Sequence, residues 1–141
     1  VNLSNSMRVA LVEDNAIFCF LFKRFLEEYP ARKIEVQLFS DGKKALDYFV
    51  STKDEPSFHP NLIFIDINMP IMNGWELIDN LMNYKFEFIH NSHVYIVSSS
   101  KSPLDRSNYK EYNFIKDYIT KPIDREGIYK ILDEYISDES Q

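Results

Sequence analysis

Four short apolar runs in this sequence each end in a side chain that can carry charge or a proton. "MRVALV" gives way to Glu13-Asp14, "LIFI" to Asp66, "HVYIV" to Ser98 and "YIT" to Lys121. Taken singly, each has an ordinary explanation. An acidic pair after a strand makes a solvated turn or a helix cap, a serine caps a helix, and Lys-Pro makes a loop. Taken together they are three carboxylates, a hydroxyl and an ammonium at four strand ends. Clustered carboxylates raise one another's proton affinity unless a cation binds among them. Oxygen ligands that include one or two carboxylates suit Mg2+ or Mn2+. An ionised carboxylate is already nucleophilic, so no general base is needed, and none of the three histidines stands at these positions. Lys121 and Ser98 are suited to bind the oxygens of a phosphoryl group in transfer. The chemistry that wants this set is phosphoryl transfer onto Asp66.

The elements that must position these residues alternate in period. Met7 to Val12 reads as a strand, and Ala16 to Tyr29 as a helix with a core stripe at Phe18, Leu21, Phe22, Phe25 and Leu26, stopped by Pro30. Lys33 to Phe39 is a second strand and Lys43 to Val50 a short helix, followed by a Pro-containing loop from Ser51 to Asn61. Leu62 to Ile65 is a strand buried on both faces. Asn73-Gly74 opens a helix through Trp75, Leu77, Ile78 and Leu81, and Tyr84 to Ser92 connects it to the strand His93 to Val97. A helix from about Ser102 to Glu111, a strand from Ile115 to Thr120 and a helix from Asp124 to Ile136 complete the order. Five strands alternating with five helices predict an α/β fold, a doubly wound parallel sheet covered on both faces. In such folds ligands bind beyond the carboxyl ends of the strands.

Composition narrows the classes further. At 141 residues the chain suits a single domain, and with 45% apolar and 15% aromatic residues it is not disordered. A net charge of −6 argues against direct nucleic-acid binding, which leaves a basic footprint. Cys19 is the one cysteine, which excludes an internal disulfide and suits a reducing, cytoplasmic setting. No apolar run approaches the roughly 20 residues of a membrane span, so membrane insertion is not expected. Residues 1–6 read as a flexible lead-in without a signal-peptide pattern, 7–137 as the domain and 138–141 as an acidic tail.

The quoted motifs carry a resemblance. "ALVEDN" (10–15), "LIFIDINMPIMNG" (62–74), "YIVSSS" (95–100) and "DYITKP" (117–122), in this order and spacing, resemble the receiver domain of two-component response regulators. The resemblance implies the CheY-like, flavodoxin-like (βα)5 fold with strand order 2-1-3-4-5. It implies that Asp66 is the phospho-acceptor, that Asp14 and Asp66 bind Mg2+ directly with the backbone carbonyl of Asn68, and that Glu13 acts largely through water. Lys121 would pair with the phosphoryl group across a cis Lys121–Pro122 peptide. Ser98 and Tyr118 would be the switch pair that alters the face of the fourth helix, fifth strand and fifth helix. Partners implied are a sensor histidine kinase or histidine phosphotransfer protein and a downstream protein, with the domain a monomer or a phosphorylation-linked dimer. The domain would be no enzyme beyond Mg2+-dependent self-phosphorylation and autodephosphorylation.

Departures are few. The Gly-Ala pair often found before strand five is replaced within "EYNFIKDYI", Ser98 stands where threonine is common, and Ser99 where alanine is usual. Asn68 and Ser100, at positions that tune phosphoryl lifetime in this family, are neither bulky nor charged and predict no special protection from water. On helix one, Phe20 faces away from the core stripe with Ile17 at its flank, and the pair is a candidate partner-docking surface. Trp75 reads as a packing residue near the site. The acidic tail favours a single-domain regulator over an excised receiver. An alternative is a receiver-like binding module that signals without phosphorylation, against which the intact acidic, Ser98 and Lys121 set argues. A phosphatase is disfavoured because Asn68 stands where such enzymes place a second acid. A flavodoxin-like carrier would need a phosphate-cradling loop where "EDNA" stands.

Overall fold

Alternation within the strands decides how the layers form. In the computed structural model, which describes residues 6–84, 88–99 and 112–139, odd and even strand positions enter two separate cores. Ala10, Val12, Ile63, Ile65, Val94 and Ile96 point to one face of the sheet, and Val9, Leu11, Leu62, Phe64, Tyr95 and Val97 to the other. A sheet apolar on both faces must be covered on both, which is why helices flank it.

The elements run β1 (Ser6–Val12), α1 (Ala16–Glu27), β2 (Lys33–Phe39), α2 (Gly42–Ser51), β3 (Leu62–Ile65), α3 (Gly74–Asn83), α4 (Phe88–Asn91), β4 (His93–Ser98), β5 (Ile115–Thr120) and α5 (Arg125–Glu139). All strand pairs are parallel, in the order β2-β1-β3-β4-β5. Helices α2 and α3 supply Ala45, Leu46, Phe49, Leu77, Ile78 and Leu81 to the first core, and α1 and α5 supply Phe22, Leu26, Ile128, Leu132 and Tyr135 to the second. This is the α/β fold that the sequence pattern predicts.

Local chemistry sets the helix ends. The Asn15 side chain accepts from the Phe18 N–H and the Asp41 side chain from the Lys44 N–H, each satisfying a donor that the first helical turn leaves open. Asn73 and Glu76 cap α3 reciprocally. Asp124, expected as the first residue of the last helix, stands before it and accepts from the Gly127 N–H at 2.8 Å. That helix continues beyond Ile136 to Glu139, where Arg32 pairs with the Glu139 carboxylate at 2.6 Å.

Some expectations shift. Ser6, assigned to the lead-in, belongs to β1, and Ser98 is the last residue of β4 rather than a residue after it. Helix α1 ends at Glu27, two residues before the expected Tyr29, since Pro30 disfavours helical backbone at the residue before it. The Tyr29 hydroxyl donates to Asp133 at 2.6 Å. The connection after α3 holds the helical turn α4, and the loop after α2 holds a 3-10 turn at Pro56–Phe58. Leu21 is the clearest misassignment. It is 45% exposed, since α1 rests on the sheet through Phe22 and Leu26, and Leu21 lies at the outer edge of that contact. The predicted helix at 102–111 and Ser100 lie outside the described residues.

Candidate functional site

Parallel strands carry all their carboxyl ends to one side of the sheet, and the strand order decides which ends are neighbours. Val12 pairs in register with Ile65, and Ile65 with Ile96, so the residues that follow β1 and β3 emerge side by side, next to the end of β4. The Asp66 N–H donates to the Val12 carbonyl at 2.9 Å, and the Lys121 N–H to the Ser98 carbonyl at 2.9 Å. These backbone bonds extend the ladders one residue past the strands and fix both functional residues where the sheet stops.

Glu13, Asp14 and Asp66 each present a carboxylate oxygen within 4.8 Å of the others. Glu13 and Asp66 are buried, at 2% and 5% exposure, and Asp14 is exposed. Burial and then the Glu13 charge push the Asp66 carboxyl up to about 7, opposed by the Lys121 ammonium and by a hydrogen bond from the Asn68 backbone. Buried carboxylates of like charge are the arrangement that a divalent cation with oxygen ligands relieves, so the donor set fits Mg2+ or Mn2+.

Lys121 enters from the far side of the site. Its Nζ donates to Glu13 Oε1 at 2.5 Å and lies 4.0 Å from Asp66 Oδ2. The other Glu13 oxygen accepts from the Asn15 N–H at 3.0 Å, so this carboxylate is held from two sides. The Lys121–Pro122 peptide is cis. Ser98 is fully buried at the end of β4, and Tyr118 is 6% exposed, packed inward within the core of the α2–α3 face. Asn68 is exposed at the rim. All the residues singled out in the strand-end set therefore come to one end of the sheet.

The loop after Asp66 is shaped by close backbone approaches. The Gly74 N–H donates to the Ile67 carbonyl at 2.9 Å, and the Gly42 N–H to the Met72 carbonyl at 3.3 Å. Between them, the Met72 N–H reaches back to the Pro70 carbonyl at 2.7 Å, a γ-turn with Ile71 at φ 68°. Ile71 is 80% exposed beside the site. On α1, Ile17 and Phe20 are 74% and 63% exposed, as their place on the helix wheel predicts.

Two features escaped the sequence. The Lys121 ammonium lies over the Phe18 ring, 4.4 Å from its centroid, although the helical period assigned Phe18 to the core alone. Cys19 directs its thiol to the Glu13 carbonyl at 3.4 Å, and burial, then the Glu13 charge, pushes it up to about 11, which disfavours the thiolate.

Known proteins resemble this chain in sequence and fold. The family model described as the response regulator receiver domain matches residues 9–133. A hybrid signal transduction histidine kinase I from Dictyostelium discoideum is 28% identical over 131 residues, which cover 92% of this chain and 7% of that protein. The chain thus spans a small part of that relative's length. The crystal structure of a two-component response regulator from Cytophaga hutchinsonii superposes with a TM-score of 0.80 at 27% identity, covering 92% of this chain and 96% of that one. The Mn(2+)-bound form of response regulator Rcp1 shares the fold, with a TM-score of 0.72 at 22% identity, covering 93% and 92% of the two chains. Among the described residues, no helix is long and apolar enough to cross a membrane.

Proposed function

Since the chain belongs to the response regulator receiver domain family, the phospho-accepting signalling module of two-component systems, we propose that it accepts a phosphoryl group on Asp66 from a phosphorylated histidine. The observation that carries this reading is the buried Asp66 carboxylate, with two further carboxylates within 4.8 Å and the Lys121 ammonium at 4.0 Å. In the transfer an Asp66 carboxylate oxygen forms a P–O bond while the donor P–N bond breaks, the electron pair leaving with the imidazole nitrogen. Glu13, Asp14, Asp66 and the Asn68 carbonyl would hold Mg2+ or Mn2+, which supplies charge neutralisation for the incoming phosphoryl oxygens.

The chain's own groups do the rest. Lys121 and the Ser98 hydroxyl bind oxygens of the phosphoryl group as its charge spreads. The Asn68 N–H orients the Asp66 carboxylate. Phosphorylation then engages Ser98, and the neighbouring Tyr118 is held inward, changing the outer face built on β5 and α5. This is a local charge event that biases a two-state element. The donor protein docks along α1, with the exposed Ile17 and Phe20 beside the acidic pocket.

Intact-protein mass spectrometry after incubation with acetyl phosphate, with and without Mg2+, tests the reading on wild type and Asp66→Asn. A Mg2+-dependent gain of one phosphoryl group, absent in the variant, is expected. If neither acetyl phosphate nor a phosphorylated histidine protein delivers it, the domain signals by binding alone.

A further inference from the structure

We propose that Phe18 is a positioning residue for Lys121, its ring face holding the ammonium in place beside Asp66; the consequence for phosphoryl transfer rests on the acceptor reading above. Three groups surround the Lys121 Nζ: Glu13 Oε1 at 2.5 Å, Asp66 Oδ2 at 4.0 Å and the Phe18 ring centroid at 4.4 Å. The lysine side chain is only 17% exposed, so the ring face meets a partly desolvated cation, the condition under which the attraction is largest.

The ring itself is not free to drift. Phe18 stacks on Phe22 at 5.7 Å between centroids, Phe22 meets Phe64 edge-on at 5.0 Å, and Phe64 stacks on Tyr95 at 5.2 Å. This file of rings runs from α1 through β3 to β4, and Phe64 lies in β3 two residues before Asp66, which follows that strand directly. The same core that fixes the acceptor therefore fixes the ring that faces its cation.

The need for such a group follows from lysine's own flexibility. Its four-carbon stem carries a point charge with three donors, and Glu13 alone would tie that charge to one carboxylate. When a phosphoryl group arrives on Asp66, the ammonium must turn part of its bonding towards the new oxygens. A ring face attracts a cation without directional bonds, so it retains the ammonium during that exchange, whereas a second carboxylate would compete for it. An aliphatic side chain of similar bulk fills the space without the attraction.

The test compares Phe18→Leu with Phe18→Tyr, which keeps the ring face. In the wild type the Lys121 ε-protons should be shifted upfield by the ring; this shift is expected to vanish in Phe18→Leu and persist in Phe18→Tyr. Phosphorylation by acetyl phosphate, resolved into maximal rate and half-saturating concentration, should fall roughly three- to thirty-fold in maximal rate for Phe18→Leu. Phe18→Tyr should stay within about twofold of wild type. In a Lys121→Met background, Phe18→Leu should change nothing further. Equal losses in Phe18→Leu and Phe18→Tyr, or unshifted ε-protons in the wild type, would overturn the proposal. Should the wild type itself accept no phosphoryl group, the acceptor reading fails, while the ε-proton shift still decides whether the ring holds the ammonium.

Discussion

A methyl group placed on the α-carbon of Gly74 would lie 2.4 Å from the carbonyl oxygen of Asp66 and 2.9 Å from the α-carbon of Ile67. Both obstacles are backbone, so no rotamer change relieves them. The glycine closing the "DINMPIMNG" run is thus required by the return of the chain onto its own reactive residue.

Gly74→Ala should accordingly displace the backbone at Asp66. Overpacking of this kind costs about 1–3 kcal/mol, and with backbone on both sides the upper half of that range is expected. Urea denaturation measures the loss of stability, and slower phosphorylation by acetyl phosphate reports the displaced carboxylate. Unchanged values for both would mean that the loop moves freely away from β3.

The raised Asp66 carboxyl gives the metal-free protein a specific pH dependence. Between the ordinary carboxylate value of 3.8 and about 7 the folded state binds the Asp66 proton more tightly than the unfolded chain does. Its contribution to stability is therefore fully present at the acid end of that window and is lost as pH rises through about 7. In EDTA, the melting temperature of wild type should drop relative to Asp66→Asn between about pH 5 and about pH 8. Mg2+ should restore much of it at the higher pH, and its apparent affinity should weaken by up to about tenfold for each unit below neutrality. A wild-type profile parallel to that of Asp66→Asn would contradict the assignment.

Ile71 occupies a left-handed conformation that a β-branched residue reaches only at a cost. Since it is 80% exposed, little burial is forfeited when it is replaced. Ile71→Gly and Ile71→Asn should each stabilise the domain by about 0.5–1 kcal/mol, read from denaturant midpoints at unchanged slope.

Exposed apolar residues on α1 lead to a kinetic prediction. Phe20→Ser should slow phosphoryl transfer from a histidine donor protein by roughly five- to tenfold, the scale of a truncated interface contact. Phosphorylation by acetyl phosphate, which needs no docking surface, should be unaffected. Equal slowing with both donors would place the effect in the fold rather than in docking.

Much of this architecture was legible because burial writes itself into strand sequences. "LIFI" has no polar position and "HVYIV" only the histidine at its start, a pattern that predicts inner strands, and in the structure β3 and β4 each have neighbours on both sides. The strand-end set was readable for the same reason: each chemical residue interrupts an apolar run at its carboxyl end. Periodicity, by contrast, gives the direction of a helix face only to within a residue or so. It placed Leu21 in the core, where α1 turns it outward, and it had no means of distinguishing Phe18 packing on Phe22 from Phe18 facing Lys121. The ring–ammonium contact joins residues more than a hundred positions apart, and nothing local in the sequence encodes it. The γ-turn at Ile71 was equally hidden, because a β-branched residue is the opposite of what a left-handed position ordinarily selects.

The ties between α1 and α5 have a mechanical consequence. Arg125 pairs with Glu28 at 2.5 Å at the start of α5, the Tyr29 hydroxyl donates to Asp133 midway, and the Tyr129 hydroxyl donates to the Phe25 carbonyl at 2.9 Å. Arg32, just beyond α1, holds the last turn through Glu139. Ties spaced along both helices resist sliding or rotation of one against the other. On the acceptor reading, a displacement that begins at Asp66 would meet its stiffer side at the α1–α5 wall and pass across the sheet, towards the edge strand β5.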